Sequence, residues 1–429
     1  GKSFGVIKFR PTDGVMEYDF SVPRKENRMG VGHKGFEVSF DENMTVKEAS
    51  LRRDFTFNSL AYDPIENTLY DYFNGVQDIN NKIIKHTSDK FGEDALRILR
   101  AMQFQARFGF SIHPETVVEI QNILKTNEFS LIAKERVFDE WLKWAEKGVN
   151  HDLVFGFLRD TNLIDYYPML KELKETSQDS IWHPEGDVEI HTTLCLKHMD
   201  KLIARENIMG KEKAILVMSI LLHDIAKPPT TKHEIKNGRM AITSNGHEAM
   251  GGIMGIEFLD GIGFHESVSV PICNIITNHL AGVNIISIPN QKGKIKSVKK
   301  LSRRLFPATI SNLLHVMEAD QNGRGDNEFK ESTGGKELAE IASELSVTDK
   351  QYEYILMGRH LIEAGLKPSK EFGEILNKAN EAQENGEFSD ISEAKKWLNT
   401  HLTKIDRLAN GGYLEPHKEV SSSVASSIK

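Results

Sequence analysis

The sequence is short of cysteine and of long apolar runs. With Cys195 and Cys273 as its 2 cysteines, a disulfide-stapled fold is excluded. Both fall within apolar helical patterns and read as buried small residues in a reducing compartment, the cytoplasm. No apolar stretch reaches the ~20 residues that a membrane-spanning helix needs, so no membrane partner is expected. No signal-peptide pattern stands at the start. A positive surplus is missing too. Lys and Arg number 54 against 62 Asp and Glu, and the net charge of −8 argues against nonspecific nucleic-acid binding by the whole surface. A local basic run remains at Lys292, Lys294, Lys296, Lys299, Lys300, Arg303 and Arg304, which taken alone reads as a solvated helix face. No internal repeat is visible. At 429 residues the chain is too long for one compact unit, and several domains are expected.

What is present centres on residues 215–227, ILVMSILLHDIAK. An apolar helical run ends abruptly in His223 and Asp224. An imidazole beside a carboxylate is costly to place in apolar surroundings, and a divalent cation would offset that cost. A lone His-Asp dipeptide is more simply a salt-bridged helix end. Here it has company: His191 upstream, then His247, His279 and Asp320 downstream, each near the edge of an apolar helical segment. Nitrogen and oxygen ligands of this kind suit Mn, Ni, Mg, Fe or Zn without selecting one.

Earlier in the chain, residues 4–9 and 15–22 alternate around Thr12-Asp13-Gly14, which predicts a hairpin with Glu17 and Asp19 on one face. Residues 25–35 read as a mobile loop. Thr45 and Glu48 stand at capping-box spacing ahead of a short helix that delivers Arg53 and Asp54, with Asn58 beyond. Forked guanidinium donors and a polar acceptor suit phosphates or ribose, although a salt-bridged helix end is the commoner case. Residues 69–86 read as a strand, a glycine turn and a short helix or strand. In FGEDALRILRAMQFQARFGF, Asp94, Arg97 and Arg100 fall at helical spacings, so Asp94 and Arg97 are predicted to share a face. Helices are then predicted over 114–124, 134–148, 153–163, 335–345, 352–364, 370–387 and 390–402, with a polar, Gly-rich linker after residue 323.

In order and spacing, FGVIKF, DFSVPRKE, GVGHKGF, LRRDFTFN, YDYFNGVQDI and FGEDALRILRAMQFQARFGF resemble the class II tRNA nucleotidyltransferase and poly(A) polymerase family. WHPEGDVEIHTT, HDIAKPPT, NGHEAMGG and EADQNGRG resemble the HD phosphohydrolase domain carried by its bacterial CCA-adding members. The resemblance implies a mostly α protein. A partial α/β nucleotidyltransferase head (1–84) precedes a helical neck and body (85–180), an all-α HD domain (181–330), a helical tail (331–415) and a disordered end (416–429).

It also implies roles. Arg53 and Asp54 resemble the ribose-recognition motif, with Asn58 beside them, and Asp94 and Arg97 the pair that reads the base edge of CTP or ATP. Arg100 would face the triphosphate, and Asp19 resembles the third carboxylate of the catalytic Mg²⁺ site. His191, His223, Asp224 and Asp320 would bind one metal (Ni, Mn, a similar ion or Mg²⁺), and His247 and His279 a second metal or the phosphate. Lys227 would approach that phosphate from the helix face of His223. Gln103 departs from the further arginine of many members. The family's Gly-Gly loop and Asp-x-Asp strand have no counterpart, so a head segment is expected to be missing or supplied by a separate chain.

The implied activity is addition of CMP and AMP to the tRNA 3′ end, with 2′,3′-cyclic phosphodiesterase and phosphatase activity at the HD site. Two alternatives stay open: an HD phosphohydrolase alone, or the tRNA-binding half of a split enzyme.

Overall fold

A computed structural model describes residues 6–12, 14, 16–21, 24–28, 36–41, 43–236, 238–325 and 332–409. The predicted GVGHKGF loop, the linker at 326–331 and the chain end 416–429 lie wholly or mostly outside them.

Among the described residues the strands are short and occur only as two-stranded ladders. Val6–Phe9 pairs antiparallel with Tyr18–Ser21, as the hairpin signal predicts, and Lys8 pairs with both Glu17 and Asp19. Arg24–Arg28 pairs with Phe36–Phe40, so part of the stretch read as a mobile loop is a strand. Thr45 and Glu48 form the predicted capping box on Val46–Leu51. Ala61–Asp63 pairs with Thr68–Tyr70, the helix Gly75–Asn80 follows, and a parallel bridge ties Ile83–Ile84 to Ser111–Ile112 beyond.

From Arg97 onward the chain is chiefly helical. The organising element is Gly210–Leu222, buried on every side from Leu216 to Leu222. A helix apolar all round can exist only with neighbours all round. Val188–Glu206, Lys134–Lys147, Glu266–Asn278 and Ile310–Asn322 supply them. Asp187 caps the first of these through its side chain, and a Thr309–Asn312 capping box starts the last. One continuous apolar core runs from Phe55 to Val347, with Trp141 and Trp144 fully enclosed. A smaller core joins Leu356, Leu361, Ile375, Phe388 and Leu398 near the chain end.

Further local readings differ from the structure. The helix predicted over 352–364 is confined to Gly358–Glu363. Ahead of it the backbone is tied elsewhere: Tyr352 N donates to Ser302 Oγ, its carbonyl accepts from Arg303, and Ile355 N donates to Gln383 Oε1. The basic run lies on Gln291–Leu305 but is not simply solvated. Lys294 pairs with Glu337, Lys300 with Glu384, and the Arg303 guanidinium lies 4.0 Å from the Tyr354 ring centre. Between the helices stands a hairpin that helical periodicity did not announce, Lys232–Lys236 paired with Arg239–Thr243.

Candidate metal centre and nucleotide motif

The C-terminal end of Gly210–Leu222 and the ends of its neighbours converge on one buried cluster. His191 lies in the first turn of Val188–Glu206, His223 caps the end of Gly210–Leu222, and Asp224 follows in the turn. His247 opens His247–Gly261, His279 caps the end of Glu266–Asn278, and Asp320 sits in the last turn of Ile310–Asn322. The approach is close because glycines line the seam. A Cβ on Gly252 would stand 2.1 Å from Thr277 Oγ1, and one on Gly251 3.0 Å from Ile276. All six predicted residues are thereby brought together and buried.

The hydrogen bonds fix the protonation of the rings. Nδ1 of His223, His247 and His279 lies 2.7–2.8 Å from the carbonyls of Ile220, Ser244 and Ile276. A carbonyl only accepts, so each Nδ1 carries the proton and each neutral Nε2 presents a lone pair. His191 Nδ1 meets Glu185 Oε1 at 2.7 Å, and His183 Nδ1 meets the same oxygen at 2.9 Å. Burial pushes the Glu185 carboxyl up, but the two imidazoles outweigh it and hold it at about 2.

The bare Nε2 atoms face inward. His191 and His223 approach to 3.4 Å and His247 and His279 to 3.2 Å. Asp320 Oδ1 lies 3.1 Å from His191 Nε2, and Asp224 Oδ2 lies 3.1 Å from His223 Nε2. Asp224 Oδ1 is 3.3 Å from His247 Nε2, so this carboxylate touches both histidine pairs. Burial alone would raise the Asp224 carboxyl, yet the His223 imidazole and the Lys227 ammonium beside it keep it well below the usual range. Burial, with His223 and His247 nearby, pushes His279 down to about 4.

Asp224 Oδ2 is buried without a well-directed hydrogen bond, although Lys227 Nζ is 2.6 Å away. Opposed ring nitrogens and carboxylate oxygens converging in one buried place are the donor set a divalent cation complements. The residues fit a metal. Cys195, Glu185 and His183 also belong to the clustered donors and were not singled out by sequence. Their signals were present: Cys195 is one helical turn after His191, and His183 and Glu185 lie in the segment that leads into it. Lys227 reaches the cluster by a different route from that predicted. The helix stops at Leu222, and Lys227 opens the separate turn Lys227–Thr230, donating to Gln178 Oε1 at 2.7 Å.

In the head, Asp54 is buried and held from three sides: by Phe55 N, by Asn58 Nδ2 at 3.0 Å and by Arg100 Nε at 2.6 Å. Arg100 therefore closes on Asp54. Asp94 and Arg97 do not share a helical face. Asp94 has extended backbone, and the helix Arg97–Phe108 starts after it. Asp94 Oδ2 accepts from Arg136 at 2.7 Å, while Arg97 donates to the carbonyls of Lys90 and Arg52. Arg53 is exposed. Asp19 sits on the exposed hairpin, and among the described residues no third metal-binding side chain joins it and Glu17.

A family profile for the poly(A) polymerase head domain matches residues 1–85. Proteins called "Multifunctional CCA protein" match over longer stretches. The one from Shewanella frigidimarina is 35% identical over 238 residues, 54% of either chain, and that from Acinetobacter baumannii is 27% identical over 358 residues, 81% of either. This chain is similar to the poly(A) polymerase head over its first 85 residues and to multifunctional CCA proteins over up to four-fifths of its length. Aligned to the Shewanella relative and its like, it spans about half of their length, 54–56%. The fold agrees. The Bacillus stearothermophilus CCA-adding enzyme in complex with CTP superposes with a TM-score of 0.57 at 18% identity, covering 95% of this chain and 84% of that one. A CCA-adding enzyme with ATP gives 0.53 at 16% identity, covering 96% and 80%. The nucleotidyltransferase head with a helical body is therefore the architecture of this chain. No described helix is long and apolar enough to cross a membrane.

Proposed function

We propose that the buried histidine–aspartate centre is a metal-dependent phosphohydrolase site, acting on phosphate esters such as 2′,3′-cyclic phosphates, in a protein whose head adds CMP and AMP to tRNA from CTP and ATP with Mg²⁺. The observation carrying the first part is the pair of Nε2–Nε2 approaches at 3.4 and 3.2 Å with every Nδ1 already engaged. The second part is supported by the likeness to the multifunctional CCA proteins.

His191, His223, Asp224 and Asp320 would hold one ion (Ni, Mn or a similar divalent metal), and His247 and His279 a second ion or the phosphate. A divalent ion in such a site supplies positive charge to the phosphoryl oxygens and acidifies water. The protein's own groups do the rest. Lys227 brings a cation beside Asp224 at the cavity wall. Backbone carbonyls hold three imidazoles in one tautomer, so each lone pair is oriented before anything binds.

In the head, Arg53 and Asp54 would recognise the ribose, with Asn58 and Arg100 bracing the Asp54 carboxylate. Asp94 and Arg97 would read the base edge by exchanging their internal bonds, to Arg136 and to two carbonyls, for bonds to the nucleotide. Asp19 would contribute to the Mg²⁺ site of transfer. The neck and body (85–180), HD domain (181–330) and tail (331–415) would form the tRNA-binding frame in the cytoplasm.

Two assays on one preparation test this reading. Hydrolysis of 2′,3′-cyclic AMP should need added Ni²⁺ or Mn²⁺ and stop on chelation. With an Asp-x-Asp head segment supplied, labelled CTP and ATP should enter a tRNA that lacks its 3′ end, and little label should enter without it. Hydrolysis insensitive to chelation would overturn the metal site, and selective labelling of an RNA other than tRNA would overturn the transferase assignment.

A further inference from the structure

A cavity of about 670 Å³ opens over the histidine–aspartate centre. That volume is in the range of sites for whole small molecules and exceeds what a phosphate group alone fills. Its lining includes Trp182, whose residue is 63% exposed. The other three tryptophans are accounted for: Trp141 and Trp144 are fully buried, and Trp397 stacks on His401. Among the described residues the Trp182 ring has no aromatic or cationic partner. An indole left open at the mouth of a polar cavity exposes apolar surface that a flat ligand could cover.

Trp182 is also firmly placed. Its backbone N donates to the Asp179 carbonyl, and the Asp179 carboxylate accepts from Arg239 at 2.9 Å and from Ile242 N at 3.3 Å. The unpredicted hairpin is thereby clasped to the loop carrying Trp182, and together they wall one side of the cavity. Four basic side chains and four carboxylates line that cavity, so a bound divalent ion would leave it net positive. Arg324 adds a buried Nε with no acceptor among the described residues. Gln178 and Asn284 offer amides at the wall. An anion at the floor, an aromatic plane at the wall and amides between them match the parts of one nucleotide.

We propose that Trp182 is the base-stacking platform of this cavity, the residue that sets a preference for esters carrying a base by holding that base against the indole while the phosphate lies at the histidine–aspartate centre. The proposal rests on the phosphohydrolase reading above and adds the specificity-determining residue. The enclosed volume favours a single nucleotide over an RNA chain.

The test compares adenosine 2′-monophosphate with glycerol 2-phosphate, two monoesters of a secondary alcohol of which only the first carries a base. Trp182→Ala should lower the ratio of their kcat/KM values about tenfold, chiefly through KM for the nucleotide. Trp182→Phe should keep most of the ratio, because a ring remains. Independently of turnover, the slowly hydrolysed adenosine 2′-phosphorothioate should quench tryptophan fluorescence in the parent protein and not in Trp182→Ala. An unchanged ratio would overturn the platform while leaving the phosphohydrolase intact. Absence of all phosphatase activity with fluorescence quenching retained would overturn the hydrolase reading and leave the platform. Quenching by a short RNA but not by the mononucleotide would overturn the choice of ligand.

Discussion

His191 and His223 point their Nε2 atoms at each other across 3.4 Å, while each ring is tied on its far side through Nδ1. Two lone pairs held this way repel unless a cation or a proton lies between them. His247 and His279 repeat the relationship at 3.2 Å, and Asp224 reaches both pairs. A ligand set that is preoriented and mutually repulsive when empty gains stability when a divalent ion binds.

The first prediction follows from that bridge. His223→Ala should lower the bound metal after Mn²⁺ or Ni²⁺ loading and dialysis, and Asp224→Ala should lower it further because that carboxylate serves both pairs. His198→Ala, on the same helix as His191 but outside the donor clusters, should retain the parent's metal content. Elemental analysis reads this directly. Equal metal in the parent and Asp224→Ala would remove the site.

Glu185 acts one step further out. It accepts from His191 Nδ1 and so holds His191 Nε2 turned toward the cluster. Losing such a partner commonly weakens metal affinity by about 10- to 100-fold. Glu185→Ala should show that loss in a competition titration with a chelator, with a smaller one for Glu185→Gln, whose amide oxygen can still accept. If both variants bind metal like the parent, Glu185 is only a structural partner of His183.

The sequence carried the ligand order because helix edges are legible. An apolar run that stops at His223, a His at the start of His247–Gly261 and one at the end of Glu266–Asn278 each mark where a buried helix meets something polar. Periodicity also placed Pro114–Leu124 and Lys134–Lys147. It failed where tertiary bonds replace local ones. Residues 352–357 look helical but give their backbone groups to Ser302, Arg303 and Gln383. Helical spacing put Asp94 on the face of Arg97, yet Arg136, 42 residues away, takes that carboxylate. Glu185 and Cys195 escaped notice because their partners, apart from His191, are distant in sequence or carry no periodic signal.

The third prediction uses the Asp94–Arg136 contact. Arg136→Ala frees Asp94 Oδ2, so Asp94 becomes a mobile acceptor while Arg97 keeps its two carbonyl bonds. If Asp94 reads the base, Asp94→Ala should flatten the preference for CTP and ATP over UTP and GTP in nucleotide binding, and Arg136→Ala should weaken it by about fivefold through lost orientation. Both proteins should keep a parent-like fold by circular dichroism, since Asp94 and Arg136 are each partly exposed. Unchanged preference in both variants would assign the pair to structure alone.

The last prediction concerns the seam that seats His279. Three residues after His279, Gly282 lies in the short helix Ala281–Ile286, which packs against Thr333–Glu344. The contact is backbone against backbone. A Cβ on Gly334 would stand 2.6 Å from both the carbonyl carbon and the oxygen of Gly282. Neither atom can rotate away as a side chain does, so Gly334→Ala must part the two helices. Overpacking of this kind costs about 1–3 kcal/mol, and here the displaced helix carries the strain to His279. Gly334→Ala should therefore melt several degrees lower than the parent and bind metal more weakly. Gly373→Ala is the control. It lies exposed in Glu371–Glu384 with nothing within 4 Å of the new Cβ, so it should raise stability by about 0.5–1 kcal/mol through helix propensity. Differential scanning calorimetry with and without added Mn²⁺ separates the two effects. A Gly334→Ala protein with the parent's melting temperature would show that the seam yields without cost. One that melts lower but gains as much stability from Mn²⁺ as the parent would show that the seam does not position His279.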